Sequence, residues 1–362
     1  NLFFLKKRFS PRELMENYHA QQEMQHILKL REMLKNLPPF CAGFFRSLSD
    51  QTAARTRLGY AYDLRIFFGF LAENVFDDPR RELSQDDMKT ITDDHIEEFM
   101  EYLSYYVNAE NPDEPVTNAP IGKSRKLAAV RGLFKYLYRK KIIPANPAEL
   151  VAFPKINEKA ITTLEPNEIA KLLDEVDSGE NLTPRQKVFH ERTKLRDAAI
   201  ITLLLGTGMR VSECVGLDIR DIDFEVNGLR VTRKGGDEMI LYFGDEVDAA
   251  LCAYLEIREE TIPCHGHENA LFLSLQNRRI TDRAVQNMVK KYAALITQLK
   301  NISPHKLRST FGTQLYAETG DIYLVANVLG HADVNTTRKH YAKMDDNYRR
   351  RAANVVRLRE KN

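Results

Sequence analysis

Six residues of the second half have side chains that could act on a phosphodiester. Arg210 follows the Gly-rich turn Gly206-Thr-Gly-Met at the start of a short helix, and Glu213 lies three residues on, close enough to brace it. Lys234 stands 24 residues after Arg210, at the tip of an expected hairpin. His305 and Arg308 open another helix; their spacing of three puts them on one face, with Ser303 as the expected cap. His331 follows Gly330 at the end of a later helix, and Tyr341 comes ten residues after it. Two guanidinium forks can neutralise a phosphodiester bidentately. A Tyr phenol is a candidate nucleophile, but its ordinary pKa of about 10 means that it needs help losing its proton. Each residue alone also has an ordinary reading. Arg210 could be a surface charge bonded to Glu213, Lys234 a turn lysine, His305 a first-turn residue, His331 a cap and Tyr341 a core residue, with Tyr348 as its near rival. The set in this order is far harder to explain that way.

The elements that must hold these residues are mostly helical. In the first half, Tyr60, Leu64, Phe67, Phe68 and Leu71 mark one helical face, and Ile96, Phe99, Met100 and Leu103 mark a second. Thr92 or Asp93 is expected to cap the second helix. A helix over about 12–37 precedes them, residues 108–120 read as an Asn-, Pro- and Asp-rich loop, and a third helix covers about 122–141 with Val130, Leu133, Phe134 and Leu137 as its core stripe. The organisation predicted is a helical extension over 1–37, a helical domain over 38–151, a linker over 152–164, and a mixed α+β domain over 165–362. In that last domain a helix opens at Pro166, 194–205 is a buried helix stopped by Gly206 and Gly208, and 211–217 is a short helix. Residues 229–233 and 239–243 are strands about a Lys-Gly-Gly-Asp turn, and 271–274 are a candidate third strand. Helices follow at about 281–299, 304–317, 321–328, 334–343 and 347–358. The fold class is mainly α with a small β-hairpin or sheet.

Cations crowd the third helix: Lys123, Arg125, Lys126, Arg131, Lys135, Arg139, Lys140 and Lys141. Arg131, Lys135 and Arg139 are four apart and stack on one face, which suits a phosphate backbone and equally suits a solvated surface. Lys123, Arg125, Arg131, Lys135 and Arg139 are the DNA-binding candidates.

Composition sets the outer bounds. The chain has 362 residues, 43% hydrophobic and 29% charged, enough to bury real cores and too apolar for a disordered chain. Its net charge of +2 neither demands nor excludes a polyanion. No apolar run approaches the ~18 residues of a membrane helix. The opening apolar stretch is too brief for a signal peptide, and because the sequence opens on Asn1 rather than Met, a few preceding residues are expected. Cys41, Cys214, Cys252 and Cys264 have no paired spacing, and a reduced, cytoplasmic setting is expected. Cys264, His265 and His267 look metal-like but lack a distant second pair, and no acidic cluster has two-metal spacing. No phosphate-cradling loop for an NTP appears. Neither metal nor cofactor is expected.

The order Arg210, Lys234, His305-x-x-Arg308, His331, Tyr341 resembles the tyrosine recombinase family. The resemblance covers about 200 residues of the catalytic half, and the helical first half suits the family's core-binding domain. Thr232-Arg-Lys-Gly-Gly236, Ala270-Leu-Phe-Leu273 and Pro304-His-Lys-Leu-Arg308 look most like Xer recombinases, particularly the single-protein Xer system of streptococci. Ten residues separate His331 from Tyr341, where many members have nine, a spacing that would fall on His340. Ser309 stands where His is frequent in Xer sequences.

The resemblance implies the roles. Tyr341 attacks, His305 takes its proton, Arg210 and Arg308 neutralise the phosphate, His331 donates a hydrogen bond to it, and Lys234 protonates the leaving 5′ oxygen. It implies double-stranded DNA as substrate, a 3′-phosphotyrosyl intermediate, and a homotetramer on two DNA sites. A DNA translocase or accessory factor is a further expected partner, and the end helix with Val355, Val356 and Leu358 would dock on a neighbour. Xer-type chromosome dimer resolution is the first role; an integrase of a phage or conjugative element is the second. A type IB topoisomerase and a catalytically idle DNA-binding protein rank lower.

Overall fold

The computed structural model describes residues 18–108, 111–157, 162–233, 236–297, 299–330 and 334. Lys234, His331 and Tyr341, with the helices expected over 334–343 and 347–358, lie outside the described residues. The chain forms two compact units, Asn1–Glu158 and Lys159–Asn362.

The first unit contains helices α1 (Tyr18–Leu34), α2 (Cys41–Ser47), α3 (Ala54–Phe70), α4 (Gln85–Thr90), α5 (Asp93–Tyr102) and α6 (Pro120–Arg139). Its core is aromatic: Phe67 on α3 meets Phe99 on α5 edge-on, with ring centroids 5.0 Å apart, and Phe134 on α6 at 6.1 Å. The apolar stripes predicted for these three helices are the faces that pack there. Thr92 caps α5 by accepting from the His95 N–H. Leu30 and Leu37 join the same core, so the described part of segment 1–37 packs into this unit.

The predicted loop over 108–120 is corrected. Strand β1 (Tyr106–Asn108) pairs antiparallel with β2 (Asn111–Val116), and Tyr106 faces Val116. Each strand of a two-stranded ribbon is an edge strand, so Pro112 and Pro115 are tolerated there, while they hide the strand alternation from a sequence reading.

The second unit opens with α7 (Pro166–Ser178) and α8 (Pro184–Thr207), followed by α9 (Val211–Gly216). The small sheet β3 (Ile222–Asp223), β4 (Gly228–Thr232) and β5 (Glu238–Tyr242) is antiparallel throughout. Then come α10 (Asp245–Glu260), α11 (Asp282–Ile296), α12 (Pro304–Thr319) and α13 (Ile322–Leu329). α8 starts ten residues before the predicted 194 because a Thr183–Gln186 capping box opens it over a polar stretch. Gly206 lies inside its last turn, and Gly208 alone is the left-handed cap. The candidate strand at 271–274 is only isolated bridging, between Asp218 and Ala270 and between Leu273 and Arg279. α10 carries no sequence expectation. Leu164 and Thr163 are tied to this unit: the Leu164 N–H donates to Thr310 Oγ1 at 3.0 Å, and Lys300 Nζ donates to the Thr163 carbonyl at 3.0 Å. Among the described residues, no helix is long and apolar enough to cross a membrane.

Candidate active site

The site is assembled around two glycine-capped helix ends. Gly208 ends α8 at φ +62°, and a Cβ there would lie 2.3 Å from Phe311 on α12. Only glycine lets this turn adopt a left-handed conformation pressed against α12. The chain then enters α9, with Arg210 at its N-cap. Glu213 is buried and holds Arg210 twice: its carboxylate accepts from the Arg210 backbone N–H at 2.8 Å and from Nη1 at 2.6 Å. The brace predicted from the spacing of three is therefore present, and it leaves 35% of the Arg210 side chain exposed.

α13 supplies the second end. Asp321 Oδ1 caps its start, accepting from the Tyr323 and Leu324 N–H groups at 2.8 and 3.0 Å. Gly330 ends it at φ +62°. The last carbonyls of a helix have no partner within it and carry the negative end of its dipole. Here three arginines occupy three consecutive carbonyls. Arg233 Nη2 donates to Val328 at 2.8 Å, Arg308 Nη2 to Leu329, and Arg210 Nη2 to Gly330 at 3.3 Å. Arg308 is 5% exposed, and its Nη1 also donates to the Gly208 carbonyl at 2.7 Å. Arg210 and Arg308, 98 residues apart in sequence, thus end on adjacent peptide groups. Glu213 holds Arg210, and the guanidinium groups gathered at this helix end suit an anion.

His305 stands exposed in the first turn of α12, one turn before the buried Arg308. Ser303 is the N-cap residue of this helix, although its side chain makes no capping hydrogen bond. The position of Lys234 in the β4–β5 connection, His331 directly after Gly330, and Tyr341 are known from sequence alone, outside the described residues.

Arg233 was not anticipated. It directly precedes Lys234, so a cation at the hairpin was legible, but its reach to α13 requires the fold. Burial is the main cause depressing its pKa; Glu213 acts against that and Arg210 adds to it.

The cations of α6 divide. Arg131 donates through Nε to the Ala148 carbonyl at 2.9 Å and through Nη2 to Glu149 at 3.2 Å and to Val151, and it stacks on Phe153 at 4.3 Å. Arg125 pairs with the buried Asp63 at 2.7 Å. Lys123 donates to the Met100 carbonyl at 2.8 Å and to Ser104 Oγ at 2.7 Å. Lys126 is itself buried and donates to Asn118 Oδ1 at 2.8 Å. The predicted row of four-spaced cations therefore does not act alike: Arg131 binds its own chain, while Lys135 and Arg139 are exposed. Spacing reports the face, and only packing reports which carbonyls lie beside it.

At the metal-like stretch, Cys264 Sγ donates to the Gln276 carbonyl at 3.2 Å, and His265 faces Glu268 at 3.4 Å. Among the described residues, no group of three or more His, Cys, Asp or Glu is placed to hold a metal ion.

A model of the Phage integrase family matches residues 162–348. The tyrosine recombinase XerC of Caldanaerobacter subterraneus subsp. tengcongensis is 34% identical over 340 residues, covering 90% of this chain and 89% of that protein. The tyrosine recombinase XerS of Lactococcus lactis subsp. cremoris is 30% identical over 343 residues, covering 88% of this chain and 94% of that one. In fold the chain resembles the XerH site-specific recombinase bound to difH substrate in a pre-cleavage complex, with a TM-score of 0.59 and 23% identity over 86% of this chain and 81% of that one. It also resembles the Tn1549 transposon integrase in complex with circular intermediate DNA, with a TM-score of 0.61 and 19% identity over 88% of this chain and 99% of that one. The chain belongs to the phage integrase family, that of the tyrosine recombinases.

Proposed function

We propose that the protein is a site-specific recombinase that breaks and rejoins double-stranded DNA through a 3′-phosphotyrosyl intermediate, in Xer-type chromosome dimer resolution. One observation carries the reading most: Arg210 and Arg308 end on the adjacent carbonyls of Gly330 and Leu329, directly ahead of His331. Two forks held this way are positioned before substrate arrives, so charge developing on the phosphate meets donors that need no reorganisation.

The step balances without a cofactor. The Tyr341 phenolic oxygen bonds to phosphorus as its proton passes to His305. The bond from phosphorus to the 5′ oxygen breaks, and that oxygen takes a proton from Lys234. Arg210, Arg308 and His331 hold the nonbridging oxygens, and Glu213 holds Arg210. The tyrosyl ester keeps the bond energy, so the 5′ hydroxyl of another strand can reverse the step. Lys135 and Arg139 on α6 are the first candidates for DNA backbone contact, and Lys123 and Arg125 keep further N–H donors beyond the partners they hold. A homotetramer on two sites, a translocase or accessory factor, and a cytoplasmic setting complete the reading. The XerC and XerS relatives named above each span most of the chain, which favours this role over a mobile-element integrase.

The test is a supercoiled plasmid carrying two copies of a site selected by binding to the purified protein, incubated with excess chelator and no ATP. Recombinant circles are expected. Relaxation without strand exchange would indicate a topoisomerase instead, and binding without either product would indicate an idle DNA-binding protein.

A further inference from the structure

Arg233 takes no part in the chemistry above, yet it is held more closely than a turn residue needs to be. Its N–H donates to the Asp237 carbonyl at 2.8 Å and its carbonyl accepts from the Gly236 N–H at 3.0 Å, so it closes the base of the β4–β5 turn. Its side chain crosses to α13, where Nη2 donates to the Val328 carbonyl at 2.8 Å. Nη1 occupies the place a side chain at residue 330 would take: a Cβ on Gly330 would lie 0.9 Å from it. Gly330 is thus both the left-handed helix cap and the seat of the guanidinium. Nε and Nη1 are buried and make no hydrogen bond among the described residues. Two buried donors without partners carry a real free-energy cost, which an outward rotamer in water would avoid.

We propose that Arg233 is a positioning residue for strand cleavage. It clasps the β4–β5 connection to the end of α13, and through that clasp it sets the position of Lys234, the next residue in the sequence. The proposal rests on the reading of Lys234 as the acid that protonates the leaving oxygen. It makes the clasp specific to that proton transfer and separates Arg233 from Arg210 and Arg308, whose charge serves both substrates compared below.

The experiment compares nicked DNA substrates that carry either the ordinary 5′ oxygen or a 5′ sulfur at the cleaved bond, using the full chain. Sulfur leaves as a thiolate and needs no acid. Arg233→Ala is expected to slow cleavage of the oxygen substrate roughly 10–100-fold, part of the 10²–10⁴ that a positioned acid contributes, while cleaving the sulfur substrate near the wild-type rate. Arg233→Lys should restore little, because one ammonium cannot span the carbonyl and the glycine seat as a planar fork does. Equal loss on both substrates would make Arg233 a phosphate ligand or a fold residue and overturn the proposal. Lys234→Ala is the reference: if sulfur does not rescue it, the acid reading fails. The clasp is then decided by hydrogen exchange. Faster exchange at 228–242 and 328–330 in Arg233→Ala, with the rest unchanged, supports it, and wild-type exchange at both overturns it.

Discussion

Arg308 Nη1 donates to the Gly208 carbonyl at 2.7 Å, joining α12 to the turn that leads into Arg210 across 100 residues of sequence. One guanidinium therefore does two things. It fixes the turn that aims Arg210, and it presents its own charge beside it.

Arg308→Ala should cut cleavage of a nicked substrate by roughly 10²–10³, since a preorganised donor to developing charge is lost, while DNA affinity changes little. Losing its ties to the Gly208 and Leu329 carbonyls should also lower stability by about 1–3 kcal/mol. Arg308→Lys keeps the charge and separates the two effects. Cleavage kinetics and gel shifts on both variants check this, and a variant that binds weakly but cleaves normally once saturated would refute it.

On α6 the structure assigns different outcomes to neighbouring cations. Arg139→Ala and Lys135→Ala should each reduce the slope of log affinity against log salt by about one and leave the melting temperature unchanged. Arg131→Ala should instead lower stability, by roughly 1–3 kcal/mol, because it holds the carbonyls of Ala148, Glu149 and Val151. Salt titrations and thermal melts distinguish these, and the reverse pattern would move Arg131 back to the DNA.

Asp63 gives the first unit a pH dependence. Burial pushes its carboxyl up from 3.8 to about 6, against the pull of Arg125 and then Lys126. Its Oδ2 is buried without a hydrogen-bond partner among the described residues. A folded-state pKa above the unfolded one means that stability is full below pH 3.8 and falls as pH rises through about 6. Denaturant unfolding from pH 4 to 7 should therefore show a loss on the order of 2 kcal/mol in the wild type relative to Asp63→Asn. Parallel curves would contradict it.

Much of this molecule is legible in its residues, and the limits have physical causes. The stripes of α3, α5 and α6 could be read because buried helices repeat apolar residues at one period. The Arg210–Glu213 brace could be read because it is local. The β1–β2 ribbon could not: its strands are three and six residues long, and Pro112 and Pro115 imitate a loop. The early start of α8 was hidden by its polar first turns. Arg131 and Arg233 share one cause, since each is a cation whose partners are backbone carbonyls. A carbonyl is present at every residue and leaves no mark in the sequence.

The central claim is that Tyr341 attacks the phosphodiester with no metal ion taking part. The most direct test is a nicked, short linear DNA site incubated in excess chelator, with covalent protein on the 3′ side scored by denaturing gel. The account predicts an adduct with the wild type and with Tyr348→Phe, and none with Tyr341→Phe, which should still shift the DNA. An adduct that persists in Tyr341→Phe and vanishes in Tyr348→Phe, or one that forms only when a divalent metal is restored, would contradict it.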